Sequence, residues 1–576
     1  MTNPFFDSIL NQLVSLTGLP ADELRSIVQG PPDVKKGDYA FPCFVLAKKE
    51  RKNPAELASE LAGEFQPDAY IERAEPAGPY LNFFVHRKAC IEHVLGCIHE
   101  QGEDFGNLNA GEGNTIVIDY SSPNIAKPLG VHHLCSTMIG NSLYRIFKAL
   151  GYRVVGVNHL GDWGTQFGVL LGAYKRWGDS LSEKTVNGLV KLYVRYSDEM
   201  KEDEALGEEA REWFRKLENG DESARALWEE FREISLDEFK RIYERLGVQF
   251  DSFAGESFYN ERIDATVERI QEAGLATISQ DALVVDLEDY DMPPCILRKS
   301  DDASLYATRD LAGIQYRKET YDFEKVLYVV GADQRLHFRQ LFKVMELLGD
   351  EVAAKCFHVD FGLVLFLDPE AGGWAKGSTR KGNLELLEDV LDRAAELALQ
   401  IIEENEKKMD FVASKEEVAE AVAIAAVCFG ILGKSRQKDV KFDWDEILSF
   451  RGKTGPYLQY AHARQASILR KYGKKVTGEV DIGRLDDPEE FELAMWLSVF
   501  PRAVEKAAAE FEPSCIANYL LDLAAVYSRY SQDSVRHKIL NDDEELTAAR
   551  VLLVSCVRTV LQKGLYLLGI IAPEQM

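Results

Sequence analysis

The sequence predicts a multidomain α/β protein. A Rossmann-like parallel-sheet domain carries a helical insertion, a small α+β domain precedes it, and an all-α helical bundle follows. Three observations predict this. Apolar strand-like runs at 115–120, 153–157 and 326–331 alternate with helical spacing. A stretch rich in Glu, Arg, Trp and Leu at about 176–280 breaks that alternation. Strand signals stop after about residue 440. The 576 residues, 46% hydrophobic and 28% charged, suit several cores of ordinary domain size.

Residues 1–110 read as the α+β unit. PAELASELAGEF at 54–65 has helical spacing, and 80–85 reads as a strand after the turn Gly78-Pro79. Residues 111–440 form the α/β domain. TIVIDY is its first strand, and a polar loop leads into a helix at about 133–150 whose apolar positions recur every three or four residues. Gly151 suits its end, and the strand 153–157 completes a βαβ unit. VLYVVG at 326–331 resumes the sheet, with a helix at about 337–348. Residues 441–576 form the helical unit. Its apolar tail, broken by Arg558 and Lys563, reads as a buried helix rather than a membrane span.

The formal net charge of -28 favours solubility and argues against a broad polyanion-binding surface. Local clusters still decide nucleic-acid contact, because charges beyond a Debye length of about 8 Å are screened. One candidate cluster is Arg464, Arg470, Lys471, Lys474 and Lys475. Nine single cysteines without zinc spacing indicate a reducing compartment and no structural zinc or other metal site. The N-terminus lacks a basic region followed by an apolar core, so a cytoplasmic protein without membrane attachment is expected.

The most informative stretch is DYSSPNIAKPLGVHHLCST at 119–137. A strand end opens into a loop and then a helix N-terminus, where free N–H groups and the helix dipole suit phosphates. Lys127 adds a cation, His132 and His133 add donors, and Ser121 and Ser122 offer caps. A plain turn with incidental surface histidines is the competing reading. Downstream, LYATRDLA at 305–312 offers Tyr306 and Asp310, a ring and a carboxylate suited to a planar cation. Asp310 equally suits a helix N-terminus. GGWAKGSTRKGN at 372–383 is a glycine-rich basic loop able to close on phosphates, or an ordinary exposed hairpin. In GPYLQYAHAR at 455–464, Tyr457, Tyr460 and Arg464 share one helical face. That face suits stacked bases, though rings at this spacing are also common in cores.

These segments resemble the arginyl branch of the class I aminoacyl-tRNA synthetases. SPNIAKP, VNHLGDWGTQFG, YVVGADQRLHF, STRKGN and GPYLQYAHAR match in family order, from GDYAF near residue 37 to the C-terminus. The sequence departs from the family's H-x-G-H pattern: Gly130 stands at the first His, His132 at the Gly, and His133 at the final His. His132 is therefore expected to replace part of the missing histidine's role.

The resemblance implies ATP-dependent attachment of arginine to its tRNA through an arginyl-adenylate, with Mg²⁺ accompanying ATP, by a monomer. It implies catalytic roles for Lys127, His132, His133, Lys376, Ser378, Arg380 and Lys381. Asp119, Ser122, Asn124, Tyr306, Asp310 and Gln334 would bind arginine. Gly130, His133, Ser136, Gly331, Asp333 and His337 would bind ATP. Tyr457, Tyr460 and Arg464, with Tyr527 and Tyr530 as a second pair, would contact tRNA. The N-terminal unit resembles the family's additional tRNA-contacting domain, with Tyr39, Phe41, Tyr80 and Asn82 as candidates, at least two of them expected in the core. Other class I synthetases, for glutamine, glutamate or cysteine, and a catalytically degenerate RNA-binding relative remain alternatives at this point. No editing domain is needed for arginine. An analogue lacking the guanidinium leaves a buried carboxylate unpaired at about 3–5 kcal/mol, and such sites discriminate by roughly 10⁴–10⁵.

Overall fold

The computed structural model describes residues 3–30, 36–299, 306–368, 372–376, 386–404 and 414–576. The N-terminal unit contains α1 (Pro4–Thr17), α2 (Ala21–Ile27), β1 (Tyr39–Pro42), α3 (Phe44–Glu50), α4 (Pro54–Glu64), β2 (Ile71–Ala77) and β3 (Tyr80–Val85). Local chemistry fixes its helix ends. Asn3 accepts from the N–H of Phe6, Pro4 opens α1, and Gly18 closes it at φ 65°. The three strands pair antiparallel in the order β1-β3-β2. Tyr39, Phe41 and Asn82 are buried in this unit, as expected for core positions, and Tyr80 is half-buried.

A helix, α5 (Arg87–Gln101), leads to the α/β domain. There β4 (Thr115–Asp119), α6 (His132–Ala149) and β5 (Arg153–Val157) form the expected βαβ unit. After α7 (Gln166–Trp177), the insertion contains α8 (Val186–Glu199), α9 (Glu204–Glu218), α10 (Glu222–Leu246) and α11 (Ile263–Glu272). It then adds an antiparallel sheet that sequence periodicity missed: β6 (Ala276–Ser279), β7 (Ala282–Val285) and β8 (Cys295–Arg298). Four-residue strands separated by Asp and Pro carry too little alternation to read.

The chain returns through α12 (Tyr306–Tyr321), β9 (Phe323–Tyr328), α13 (Arg335–Leu347) and β10 (Cys356–His358). The strand expected at 326–331 thus lies three residues earlier, because its neighbour β4 stops at Asp119, which pairs with Tyr328. The central sheet is parallel, in the order β10-β9-β4-β5. The chain leaves β4 toward β5 on one side, and β9 lies on the other. The C-terminal end of β4 is therefore a topological switch point, where such sheets open a ligand crevice. Gly140 lets α6 lie against this end: a Cβ there would fall 2.3 Å from the buried Tyr120 side chain.

A hairpin of β11 (Val364–Asp368) and β12 (Gly373–Lys376) follows, then α14 (Leu387–Glu404) and α15 (Lys415–Leu432). The short β13 (Val440–Lys441) pairs parallel with β11 and is the last strand among the described residues. The remaining helices are α16 (Trp444–Ile447), α17 (Gly455–Tyr472), α18 (Pro488–Ser498), α19 (Phe500–Ala509), α20 (Ser514–Gln532) and α21 (Glu544–Leu567). α15 is almost wholly buried and packs on α14, α17 and α6. Ser142 of α6 donates to the carbonyl of Leu567 at 2.9 Å, tying the α/β domain to α21. Among the described residues, no helix is long and apolar enough to cross a membrane.

Candidate active site

The loop between β4 and α6 is held under backbone strain. Ser121, Ser122 and Ala126 adopt φ of 71°, 50° and 58°, a region side-chain-bearing residues avoid. Buried hydrogen bonds keep them there. The Ser121 N–H donates to Ser136 Oγ (2.8 Å), and its hydroxyl bonds Tyr243 Oη (2.7 Å). The Ser122 N–H donates to Asn158 Oδ1 (3.2 Å), and the Ala126 N–H to Ser235 Oγ (2.9 Å). Tyr243 and Ser235 lie on α10, so the insertion's longest helix buttresses the loop. Gly161 is needed beside Asn124, whose Oδ1 would lie 1.9 Å from an added Cβ.

Lys127 and His132 are exposed, while Gly130 is buried. Nδ1 of His133 lies 3.1 Å from the Gly130 N–H and 3.2 Å from the Gly130 carbonyl, so Gly130 holds the imidazole from one side. Burial, then the charges of His132 and Lys127, push His133 down to about 3, so it is neutral at working pH. The His132 and His133 rings are 3.9 Å apart.

At the sheet edge, Asp119 is buried and already paired. Arg317 of α12, a residue the sequence reading missed, donates to its Oδ2 at 2.6 Å. Ser122 donates to Oδ1 at 3.0 Å. Asp119 and Ser122 thus meet at the end of β4, with Asp119 held within a protein ion pair.

Asp310 lies on α12, one turn after Tyr306, and its side chain is 27% exposed. Its Oδ2 is 2.6 Å from His337 Nε2, and its Oδ1 is 3.8 Å from His159 Nε2. Burial works to raise this carboxyl. The hydrogen bond and charge of His337, helped by His159 and Arg317, outweigh it and hold the group below its usual range. His337, expected at ATP, contacts Asp310, because α13 starts beside α12 and turns this imidazole toward it.

A second carboxylate was missed altogether. Burial pushes Glu256 up to about 8, and its Oε2 is buried without a hydrogen-bond partner. Arg309 and Asp310 lie within its electrostatic reach. Asp162 anchors this segment, accepting from the Ser257 N–H (2.8 Å) and hydroxyl (2.9 Å). Tyr306 is exposed at 58%; partial desolvation and the charge of Glu256 raise its phenol.

Gln334 and Asp333 are exposed beyond β9, and Gly331 leaves room for the Asp333 carboxylate, 2.7 Å from where a Cβ would stand. Ser136 does not face the crevice freely. It is buried, donates to the Val329 carbonyl (2.6 Å) and accepts from Ser121, so its expected ATP contact is replaced by a structural one. Lys376 ends β12, but its side chain, with Ser378, Arg380 and Lys381, lies outside the described residues.

On α17, Gln459 and His462 bond the carbonyls of Ile571 (2.7 Å) and Pro573 (2.9 Å). That burial turns Tyr460 and Arg464 to the exposed face, with Tyr457 half-buried. Tyr527 and Tyr530 are a correction. Both are buried, and Tyr530 bonds Glu490 (3.1 Å) and stacks on His537 (4.3 Å), so they are core rather than a base-stacking surface. Among the described residues, Asp487, Glu489 and His537 could together meet a cation, yet Arg536 already pairs with Asp487 at 2.6 Å.

Comparison with known proteins identifies the family. Residues 97–444 match the family model described as tRNA synthetases class I (R), catalytic domain. Residues 458–576 match the DALR anticodon binding domain, and residues 6–85 the arginyl tRNA synthetase N-terminal domain. The arginine–tRNA ligase of Clostridium botulinum strain Alaska E43 is 47% identical over 97% of each chain. That of Clostridium beijerinckii is 48% identical, again over 97% of each chain. The solved Thermus thermophilus arginyl-tRNA synthetase superposes with a TM-score of 0.84 at 27% identity, covering 100% of both chains. The chain belongs to the arginyl-tRNA synthetase family of class I aminoacyl-tRNA synthetases.

Proposed function

We propose that this chain carries out its family's reaction, the ATP-dependent attachment of arginine to its tRNA, with the residues gathered at the β4 switch point. The observation that carries this reading is Asp310, set between His337 and His159 on the helix that Arg317 ties to Asp119, where the strained loop 120–131 begins. A guanidinium fork matches such a carboxylate with two parallel hydrogen bonds, and the buried Glu256 lies within electrostatic reach of it. Tyr306 would cover the subsite's mouth. Asn124, Ser122 and Gln334 would orient the α-amino and carboxylate end, with Asp119 fixing Ser122.

The arginine carboxylate attacks the α-phosphorus, the bond to pyrophosphate breaks, and arginyl-adenylate forms. A ribose hydroxyl of the tRNA end then attacks the adenylate carbonyl and AMP leaves. Neutral His133 would donate a ring N–H to phosphate, Lys127 would supply charge, and His132 would take over part of the role missing at Gly130. Lys376, Ser378, Arg380 and Lys381 would close from the second loop. Gly331 and Asp333 would hold the nucleoside. No protein nucleophile is required; positioning and electrostatics carry the rate.

Mg²⁺ fits as a companion of ATP rather than a resident ion. The groups around the loop are imidazole, ammonium and amide, so its oxygen ligands would come from phosphates and water. Tyr457, Tyr460 and Arg464 would meet tRNA bases, with the chain acting as a cytoplasmic monomer. The test is pyrophosphate exchange with ATP and cognate tRNA, using arginine, glutamine, glutamate or cysteine. Exchange is expected with arginine only; exchange with another of these amino acids would overturn the reading.

A further inference from the structure

A cavity of about 500 Å³ lies where three parts of the chain meet, and none of the residues assigned to the crevice lines it. Its walls are the single turn Gly102–Asp104 after α5, the last turns of α6 and the last turns of α21. The α6 and α21 walls are cationic. Lys563 is only 9% exposed, and among the described residues its ammonium has no carboxylate at ion-pair distance. Burial pushes its amine below the usual range, against the charges of Asp104 and Glu103. Burial lowers Arg145 as well, and it too lacks a carboxylate at that distance among the described residues. Its guanidinium is fixed by the carbonyls of Tyr566 (2.8 Å) and Gly247 (2.7 Å). Both cations lie over one ring, Arg145 at 4.7 Å and Lys563 at 5.6 Å from the centroid of Tyr566. Lys148, exposed, adds a third cation to the same cavity.

Buried cations without a counter-ion are costly, and three around one cavity repel one another. An anion completes such a site. The opposite wall narrows the choice. Glu103 and Asp104 are exposed and line the cavity from the Gly102–Asp104 turn. Charge is therefore split, with cations deep and carboxylates at the rim. An acidic rim repels a polyanion such as a nucleic-acid backbone. It accepts hydrogen bonds from the hydroxyls of a small molecule whose anionic head has gone deep. Three cations suit a phosphate monoester, which carries a charge of about −1.5 to −2 near neutrality.

We propose that this junction is a binding site for a small phosphate monoester of a hydroxylated skeleton, with the phosphate on Lys563, Lys148 and Arg145 and the hydroxyls on Asp104 and Glu103. A bound phosphate would tie α21 to α6, the helix that opens with His132 and His133.

The experiment is calorimetric titration of the full-length chain with ribose 5-phosphate, with inorganic phosphate and with arginine, alongside thermal unfolding. Wild type is expected to bind ribose 5-phosphate and to gain Tm with it. K563M should bind at least about tenfold more weakly, the loss of one charge-assisted contact, and should gain no Tm. Without ligand its Tm should equal or exceed that of wild type, because an uncompensated buried cation is gone. K148M, at an exposed position, should weaken ribose 5-phosphate in the same direction without disturbing packing. D104N should weaken ribose 5-phosphate but not inorganic phosphate, which has no hydroxylated end. Affinity for tRNA should be unchanged in K563M. The proposal is overturned if ribose 5-phosphate does not bind, or if K563M and K148M bind it like wild type. It is overturned equally if D104N leaves it unchanged, if arginine shows the stronger Lys563-dependent binding, or if K563M weakens tRNA instead.

Discussion

Arg317 donates from Nη2 to Oδ2 of Asp119 at 2.6 Å, and both side chains are buried. The pair joins α12, which carries Asp310, to the end of β4, where the strained loop begins. It therefore locks the α12 side of the crevice to the loop side.

Breaking this pair strands a buried charge. R317A or D119A is expected to lose about 3–5 kcal/mol of unfolding free energy in urea titrations. The double variant R317L/D119L should lose less than either, because no unpaired charge is left. A double variant at least as unstable as the sum of the singles would contradict this.

The insertion's role can be separated from global stability. Y243F removes the hydroxyl that bonds Ser121 and Asn158. Stability should fall by only about 1 kcal/mol, yet pyrophosphate exchange should fall more than tenfold, roughly the loss expected when positioning is disturbed. Equal, small effects on both measurements would mean that the loop holds itself.

His133 makes an acid-side prediction. Its folded value, about 3, lies below the ordinary one, so the unfolded chain takes up a proton that the folded chain refuses. The stability it contributes is complete above the unfolded value and is lost as pH falls toward 3. Between pH 7 and pH 5, H133Q should lose about 1–2 kcal/mol less than wild type in denaturant titrations. Parallel losses would show that His133 titrates normally.

Glu256 works in the opposite sense. Its raised value, about 8, means the folded chain holds a proton that the unfolded chain has released above its ordinary range. That stability is present at acid pH and declines as pH rises toward 8. E256Q should be more stable than wild type at pH 8 by about 2 kcal/mol, while binding arginine more weakly. Loss of stability in E256Q would contradict the burial cost assigned to this carboxylate.

Two aromatic pairs share the same sequence spacing and should behave differently. Y460A is expected to weaken tRNA binding by about 1–3 kcal/mol without destabilising the fold. Y530A should destabilise it by about 3–5 kcal/mol, because that ring is packed against His537. Filter binding and thermal unfolding separate the two outcomes.

Much of the fold is legible in the chain because its central strands are nearly continuous apolar runs, as in TIVID and RVVGV. The strands β6 to β8 are not legible, since each is short and bounded by polar residues. Motif residues such as His133 and Asp310 are found by chemistry at a strand end or helix start. Their partners are not. Arg317 is 198 residues from Asp119, and Glu256 lies in a segment without helical or strand periodicity. Tyr527 and Tyr530 repeat the spacing of Tyr457 and Tyr460. Burial decides between them, and burial depends on what the rest of the chain packs against each helix.

The central claim is that Asp310 selects the guanidinium. The most direct measurement is the dissociation constant of arginine for D310A, with ATP binding measured on the same preparation. Arginine affinity is expected to fall by at least about a hundredfold, in line with an unpaired buried charge costing about 3–5 kcal/mol, while ATP affinity stays near the wild-type value. Arginine affinity unchanged in D310A would contradict the account.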